Sequence, residues 1–279
     1  MKLKLIDTHA HLNLSAFDQD HDQVIQSCLK EEIGMINVGT NYQTSVRAVD
    51  LAKAYPKDVW AAIGLHPIHL GETEVDDWEL DGQPGFKTKG EIFDAERYFQ
   101  LAQSSPKVVA IGEIGLDYWH LPKDEDQRTS FQERQKEGFL KQLDLAETLK
   151  KPVIIHCRSA FPDLISLLQK RKGGNLKGVI HCFTGDWAQA QFFLKMGFYL
   201  GFDGVIFKTD LDEVIRKISS EKMLVETDCP YLTPPIKKGE RNTPLNLKFI
   251  VQKIADLRQA SFDEIAQVTT ANARNLFHL

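Results

Sequence analysis

With 279 residues, 42% hydrophobic and 26% charged, the chain has a globular composition and the length usual for one (β/α) barrel. Its net charge of −5 argues against a general binder of duplex DNA, which would carry a basic face, but leaves room for an enzyme whose site is locally positive. No stretch is apolar for long enough to span a membrane, and the opening Met1-Lys2-Leu3-Lys4-Leu5-Ile6-Asp7 meets an acid too soon for a signal peptide.

Short apolar runs alternate with longer amphipathic segments. The first strand is expected over Lys4–Asp7, climbing from Leu3 and running into His9 and His11. Alternate residues of an extended strand share a face, so the two imidazoles point one way and Asp7 shares their parity. Two rings on one face can hold a metal ion, and Asp7 is a candidate to support one of them. A helix over about Asp20–Glu32 and a strand over Met35–Val38 follow. Next come a helix over about Gln43–Tyr55 and a strand over Trp60–Ile63, leading into Gly64-Leu65-His66-Pro67. From His69 to Gly90 the rhythm breaks into an acidic surface excursion with Gly82, Pro84 and Gly85. It resumes with a helix over about Glu91–Ser104 and a fourth strand over Val108–Gly112.

A long helix over about Gln127–Leu149 precedes strand Val153–Ile155. The next helix runs to about Lys172, ended by Gly173-Gly174. Strand Gly178–Ile180, helix Trp187–Met196, strand Phe198–Gly201, helix Asp210–Ile218 and strand Met223–Val225 continue the pattern. Two helices, about Leu245–Gln259 and Ser261–Asn275, close the chain. Eight strands alternating with helices predict one closed (β/α)8 TIM barrel of parallel strands, with 1–279 as a single domain. An open doubly wound sheet is the alternative, but no Gly-x-Gly-x-x-Gly follows the first strand to support dinucleotide binding.

The chemistry-bearing residues stand where strands run out. His9 and His11 follow the first, Glu113 the fourth, His156 the fifth, His181 the sixth and Asp228 the eighth. In a barrel those C-terminal ends surround one mouth, so six metal-competent side chains should converge. Four histidines and two carboxylates exceed the need of one tetrahedral ion and suit two ions sharing a bridge, with Glu113 or Asp228 as the bridging carboxylate. Imidazole with carboxylate suits Zn²⁺, Mn²⁺ or Mg²⁺ alike. Two divalent ions bring about +4, two carboxylates about −2 and a hydroxide about −1, leaving about +1, which matches a phosphodiester anion.

The motifs Asp7-Thr8-His9-Ala10-His11-Leu12, Gly64-Leu65-His66-Pro67, Gly112-Glu113-Ile114-Gly115-Leu116-Asp117-Tyr118, His156-Cys157-Arg158, His181-Cys182-Phe183-Thr184-Gly185 and Glu226-Thr227-Asp228-Cys229-Pro230-Tyr231-Leu232 span nearly the whole chain. Together they resemble the TatD family of metal-dependent deoxyribonucleases, within the amidohydrolase-like barrels. The resemblance implies that His9, His11, Glu113 and Asp228 hold one ion, and that Glu113, His156 and His181 hold the other. It also implies metal-dependent DNA cleavage, often as a 3′→5′ exonuclease, with single strands or 3′ ends as substrate. Many relatives in the wider superfamily bridge their ions with a carboxylated lysine. The run Ala110-Ile111-Gly112-Glu113 has none, in keeping with the nuclease branch. The chain departs from the family's usual Arg-Asn-Glu-Pro in having Arg241-Asn242-Thr243-Pro244, so no role of that glutamate carries over.

Around this core, Asp228 is expected to orient or deprotonate the attacking water, or to act purely as a ligand, and Glu113 to act with it. Arg158 shares the parity of His156 and can grip a phosphate through its planar fork. Arg241, beside Lys237 and Lys238, lies in the one basic loop near the rim. His66 either contacts substrate or caps the turn before Pro67. Asp117 and Tyr118 are candidates to line the pocket, and Tyr118 or Trp119 to stack on a base. The cysteines Cys28, Cys157, Cys182 and Cys229 form no CxxC and are expected to be reduced thiols of a cytoplasmic monomer. Strand alternation turns Cys157, Cys182 and Cys229 away from the metal. The rival function with the same ligands is hydrolysis of an ester or amide, as by an aminoacyl-tRNA deacylase or a small-molecule amidohydrolase.

Overall fold

The computed structural model describes residues 4–76, 85–171 and 176–279. The expected helix end at Gly173-Gly174, and Gly82 and Pro84 of the excursion, lie outside the described residues. Strand β1 (Leu5–Ala10) leads to α1 (His21–Lys30), β2 (Ile33–Val38), α2 (Tyr42–Ala54) and β3 (Val59–Ile63). The excursion is built as an antiparallel hairpin, β4 (Glu74–Val75) with β5 (Phe86–Lys87), and precedes α3 (Ala95–Gln103). Then come β6 (Val108–Asp117), α4 (Glu125–Leu149), β7 (Val153–Arg158), α5 (Phe161–Lys170), β8 (Gly178–Ile180) and α6 (Trp187–Lys195). The chain ends with β9 (Tyr199–Phe202), α7 (Asp212–Lys217), β10 (Met223–Val225), α8 (Leu247–Arg258) and α9 (Phe262–Phe277).

Eight strands form one parallel sheet in the order β1-β2-β3-β6-β7-β8-β9-β10, with helices between them. The sheet curls until its edges meet. At the mouth the Asp228 amide donates to the His9 carbonyl and the His11 amide to the Cys229 carbonyl, both at 2.9 Å. Asp7 stitches the same seam by accepting from the Thr227 amide (3.0 Å) and hydroxyl (2.5 Å). At the opposite end α9 covers the seam, with the Thr270 hydroxyl on the Lys4 carbonyl and the Asn272 amide on the Met223 carbonyl.

Strand alternation divides the apolar residues into two cores. Ile6, Ile36, Ala62, Ala110, Ile154, Val179 and Leu224 fill the barrel and meet Ala273, Leu276 and Phe277 of α9. Leu5, Met35, Val59, Ile111 and Ile155 face the helices, with Val24, Ile25 and Cys28 of α1 among their partners. In β1, Leu5 and Ala10 both belong to the helix-facing core although they are five positions apart, so the alternation slips once. The slip is the irregular register between Asp7 and Ala10. The expectation that Asp7 shares the parity of His9 is therefore overturned: Asp7 turns to the seam while the histidines turn inward. β6 slips likewise between Ile111 and Ile114, at Glu113. β6 and β7 also run past their expected ends, so Glu113 and His156 sit within strands: His156 pairs with Gly115, and at the slip the Glu113 amide donates to the Gly39 carbonyl at 3.1 Å.

Candidate metal centre

All six expected ligands converge at the mouth. His9 Nε2 and His11 Nε2 lie 3.1 Å apart. Glu113 Oε2 is 3.4 Å from His9 Nε2 and 3.9 Å from His11 Nε2. Its other oxygen, Oε1, faces a different set: His156 Nδ1 at 2.9 Å and His181 Nε2 at 3.6 Å. Asp228 Oδ1 is 3.3 Å from His11 Nε2, 3.7 Å from His9 Nε2 and 3.9 Å from His181 Nε2. Asp228 has φ of +55°, a left-handed turn that aspartate tolerates better than most residues.

The rings are held from behind. The Val38 carbonyl lies 2.8 Å from His11 Nδ1, and Glu226 Oε1 lies 2.8 Å from His181 Nδ1. Asp117 Oδ2 lies 3.3 Å from His156 Nε2. Partners of this kind set the tautomer and raise the basicity of a metal-ligating imidazole. Glu226 is fully buried, and its Oε1 also accepts from the Cys182 amide at 2.7 Å. Gly201 makes room for it, because a β-carbon there would meet the Glu226 carboxylate at 2.6 Å. Gly115 has φ of +145°, and its missing β-carbon would lie 2.0 Å from the His156 carbonyl. Glu226 had no expected role beyond its place in a motif; its position two residues before Asp228 is the signal that could have found it.

Electrostatics suit cations. Burial, with His181 beside it, pushes His9 below the usual histidine range, which favours the form that offers a lone pair. Burial pushes the Glu113 carboxyl up, but the His66 and His9 rings outweigh this and hold it well below the usual range. Burial pushes His181 down, while Glu226 and Asp228 carry it well above. Several nitrogens and carboxylate oxygens within 4.8 Å of one another are the donor chemistry of a divalent ion. Two such groups share Glu113: His9 with His11, and His156 with His181.

The other expected contacts divide. His66 caps the turn, its Nδ1 accepting from the Ile68 amide at 3.3 Å, and its Nε2 lies 3.4 Å from Glu113 Oε1 at the cavity wall. Arg158 lines the cavity and lies 4.8 Å from the centre of the Trp119 ring. Arg241 does not line the cavity: it pairs with Asp20 at 2.5 Å, donates to the Ala16 carbonyl and lies over Phe17. Tyr118 is likewise turned away, its hydroxyl donating to Asp163 at 2.7 Å. Asp7 meets the His9 amide rather than a ring. Asp117 lines the cavity, accepts from the Trp119 and His120 amides, and backs His156. Cys157 and Cys229 join the helix-facing core, although Cys157 also touches the cavity. Cys182 does not, because β8 has ended and its backbone turns left-handed at φ +44°, which brings it to the cavity wall. Asn242 ties down the Asp228 loop through the Thr227 and Tyr231 carbonyls.

The ligands open into a cavity of about 670 Å³. The excursion supplies one side of it through His69, Val75 and Phe86, beside Ile68. Thr88 braces that hairpin, its hydroxyl bonding the Gly71 carbonyl at 2.5 Å and the Thr73 amide at 2.8 Å. No helix among the described residues is long and apolar enough to cross a membrane.

A parallel barrel with this donor set at its C-terminal mouth defines a metal-dependent hydrolase. The chain belongs to the TatD-related DNase family, whose model matches residues 6–278. It is 37% identical over 281 residues to YabD of Bacillus subtilis, an uncharacterized metal-dependent hydrolase, with 99% of both chains covered. It is 34% identical over 284 residues to the 3′-5′ ssDNA/RNA exonuclease TatD of Pectobacterium parmentieri, covering 99% of this chain and 100% of the relative. The crystal structure of YJJV, a TatD homologue from Escherichia coli K12, superposes with a TM-score of 0.83 at 29% identity, over 100% of both chains.

Proposed function

We propose that this chain, acting as one domain over residues 1–279, cleaves phosphodiester bonds at the 3′ ends of single-stranded DNA with two divalent ions, Mg²⁺, Mn²⁺ or Zn²⁺. One observation carries the reading: the two oxygens of Glu113 face two separate donor sets, His9 with His11 and His156 with His181. With ions bound, His9 and His11 would hold one and His156 and His181 the other, and Glu113 would serve both. Bound ions would supply activation of water as the nucleophile and polarisation of the scissile phosphate.

The chain's own residues do the rest. Asp228, more exposed than His9 or His11, orients the attacking water and accepts its proton at the cavity floor. Arg158, steadied against Trp119, grips the phosphate. His66 hydrogen-bonds Glu113 and holds its Oε1 towards His156 and His181. A recess of about 670 Å³ and a net charge of −5 favour a single strand end over a paired duplex as the substrate. The relative from Pectobacterium parmentieri is named for 3′-5′ cleavage of single-stranded DNA and RNA, which supports the same direction here.

The test is incubation of metal-defined protein with a 5′-labelled and a 3′-labelled single strand. The 5′-labelled strand should shorten stepwise, the 3′ label should leave in the first turnover, and chelator should stop both. Turnover of a chromogenic carboxylic ester with both strands left intact would replace the nuclease reading with an ester hydrolase on the same ligands.

A further inference from the structure

The cavity has two unlike sides. Its floor is the cluster of imidazoles and carboxylates, and one wall is carbon. Val75 and Phe86 are directly opposed across the β4–β5 hairpin, so they share a face, and both line the cavity. Ile68 and Tyr231 pack with Val75. The Tyr231 ring lies 6.4 Å from the His11 ring, which joins the wall to the ligand cluster. At the other end the Phe86 ring lies 6.2 Å from the His69 ring, with only 19° between their planes. Phe86 is 36% exposed, while its partner Val75 is 4% exposed. Ions, water and hydrogen-bond donors suffice for cutting a phosphodiester, so a carbon wall continuous with the floor answers to another part of the substrate.

We propose that this wall is a nucleobase subsite, in which the base of the terminal nucleotide lies against Phe86 and His69 while its phosphate meets the ligand cluster. The inference rests on the nuclease reading and adds what holds the substrate. Ile68, Val75 and Phe86 present no donor or acceptor to a base edge, so the part of the wall they form grips any base and discriminates a base from its absence. Burial, with His66 nearby, pushes His69 down to about 3, so its ring offers a neutral π-face rather than a charge.

The experiment is calorimetric titration of the metal-loaded full chain with dAMP, dTMP and 2-deoxyribose 5-phosphate, which share phosphate and sugar and differ in the base. Both nucleotides should bind about tenfold more tightly than the sugar phosphate, the scale of one base on an aromatic ring. Phe86→Ala should remove that preference and leave the affinity for 2-deoxyribose 5-phosphate unchanged, and Phe86→Trp should keep the preference. Equal binding of all three by the wild type, or equal weakening of all three by Phe86→Ala, overturns the subsite. The strand assay separates the two readings. A base preference without strand cleavage upholds the subsite and overturns the nuclease. Cleavage with no base preference does the reverse.

Discussion

The two donor sets that meet at Glu113 are built in different ways. His9, His11 and Asp228 stand at the barrel seam and are placed mainly by backbone. The Val38 carbonyl holds His11, and the bonds from Asp228 to His9 and from His11 to Cys229 close the sheet beneath them. His156 and His181 are placed by acids, Asp117 behind one ring and Glu226 behind the other. A backbone anchor is neutral and stiff. A carboxylate anchor adds negative charge and raises the basicity of the ring, so the second set is tuned by side chains while the first is tuned by fold.

The largest effect should come from the group both sets share. Glu113→Ala should abolish metal-dependent hydrolysis and weaken metal binding at both sets, read by calorimetric metal titration. A variant that still turns over would sink the shared carboxylate. Next, Glu226→Gln should weaken the His156–His181 set by about 10–100-fold and spare the other. His9→Ala should do the opposite, so titrations of the two variants should lose different phases. Loss of the same phase in both would erase the distinction between the sets.

Removal of metal with a chelator should lower the stability of the fold by about 2–3 kcal/mol per ion, relative to metal at a hundredfold excess over its dissociation constant. Urea unfolding with and without metal checks this, and an unmoved midpoint would show that the cluster binds none. The smallest effect is expected away from both sets. Arg241→Ala should cost about 1 kcal/mol by breaking a half-exposed pair with Asp20, and should leave kcat/KM on single strands unchanged. A large fall in kcat/KM with unchanged stability would return Arg241 to the substrate.

Much of the fold and the candidate donor set was legible from local pattern. His9, His11, Glu113, His156, His181 and Asp228 stand out because each follows an apolar run, and a parallel barrel brings the ends of all such runs to one rim. The partners behind the rings were harder to read. Glu226 touches His181 across 45 residues, and the use of a carboxylate for orientation rather than ligation leaves no spacing in the chain. The excursion carried no period, and its Phe86 became a wall residue only through pairing with Val75.

The sequence by itself determined the alternation of strand and helix and the parallel barrel, and it singled out the candidate donors that the rim brings together, because hydrophobic period and strand ends are local properties of the chain. Tertiary structure decided which way Asp7 turns, what Arg241 and Tyr118 hold, and how the two oxygens of Glu113 are shared. The physical reason is range and register. Asp7 meets Thr227 across 220 residues and Arg241 meets Asp20 across 221, and one slip within a strand reverses the face of every side chain beyond it.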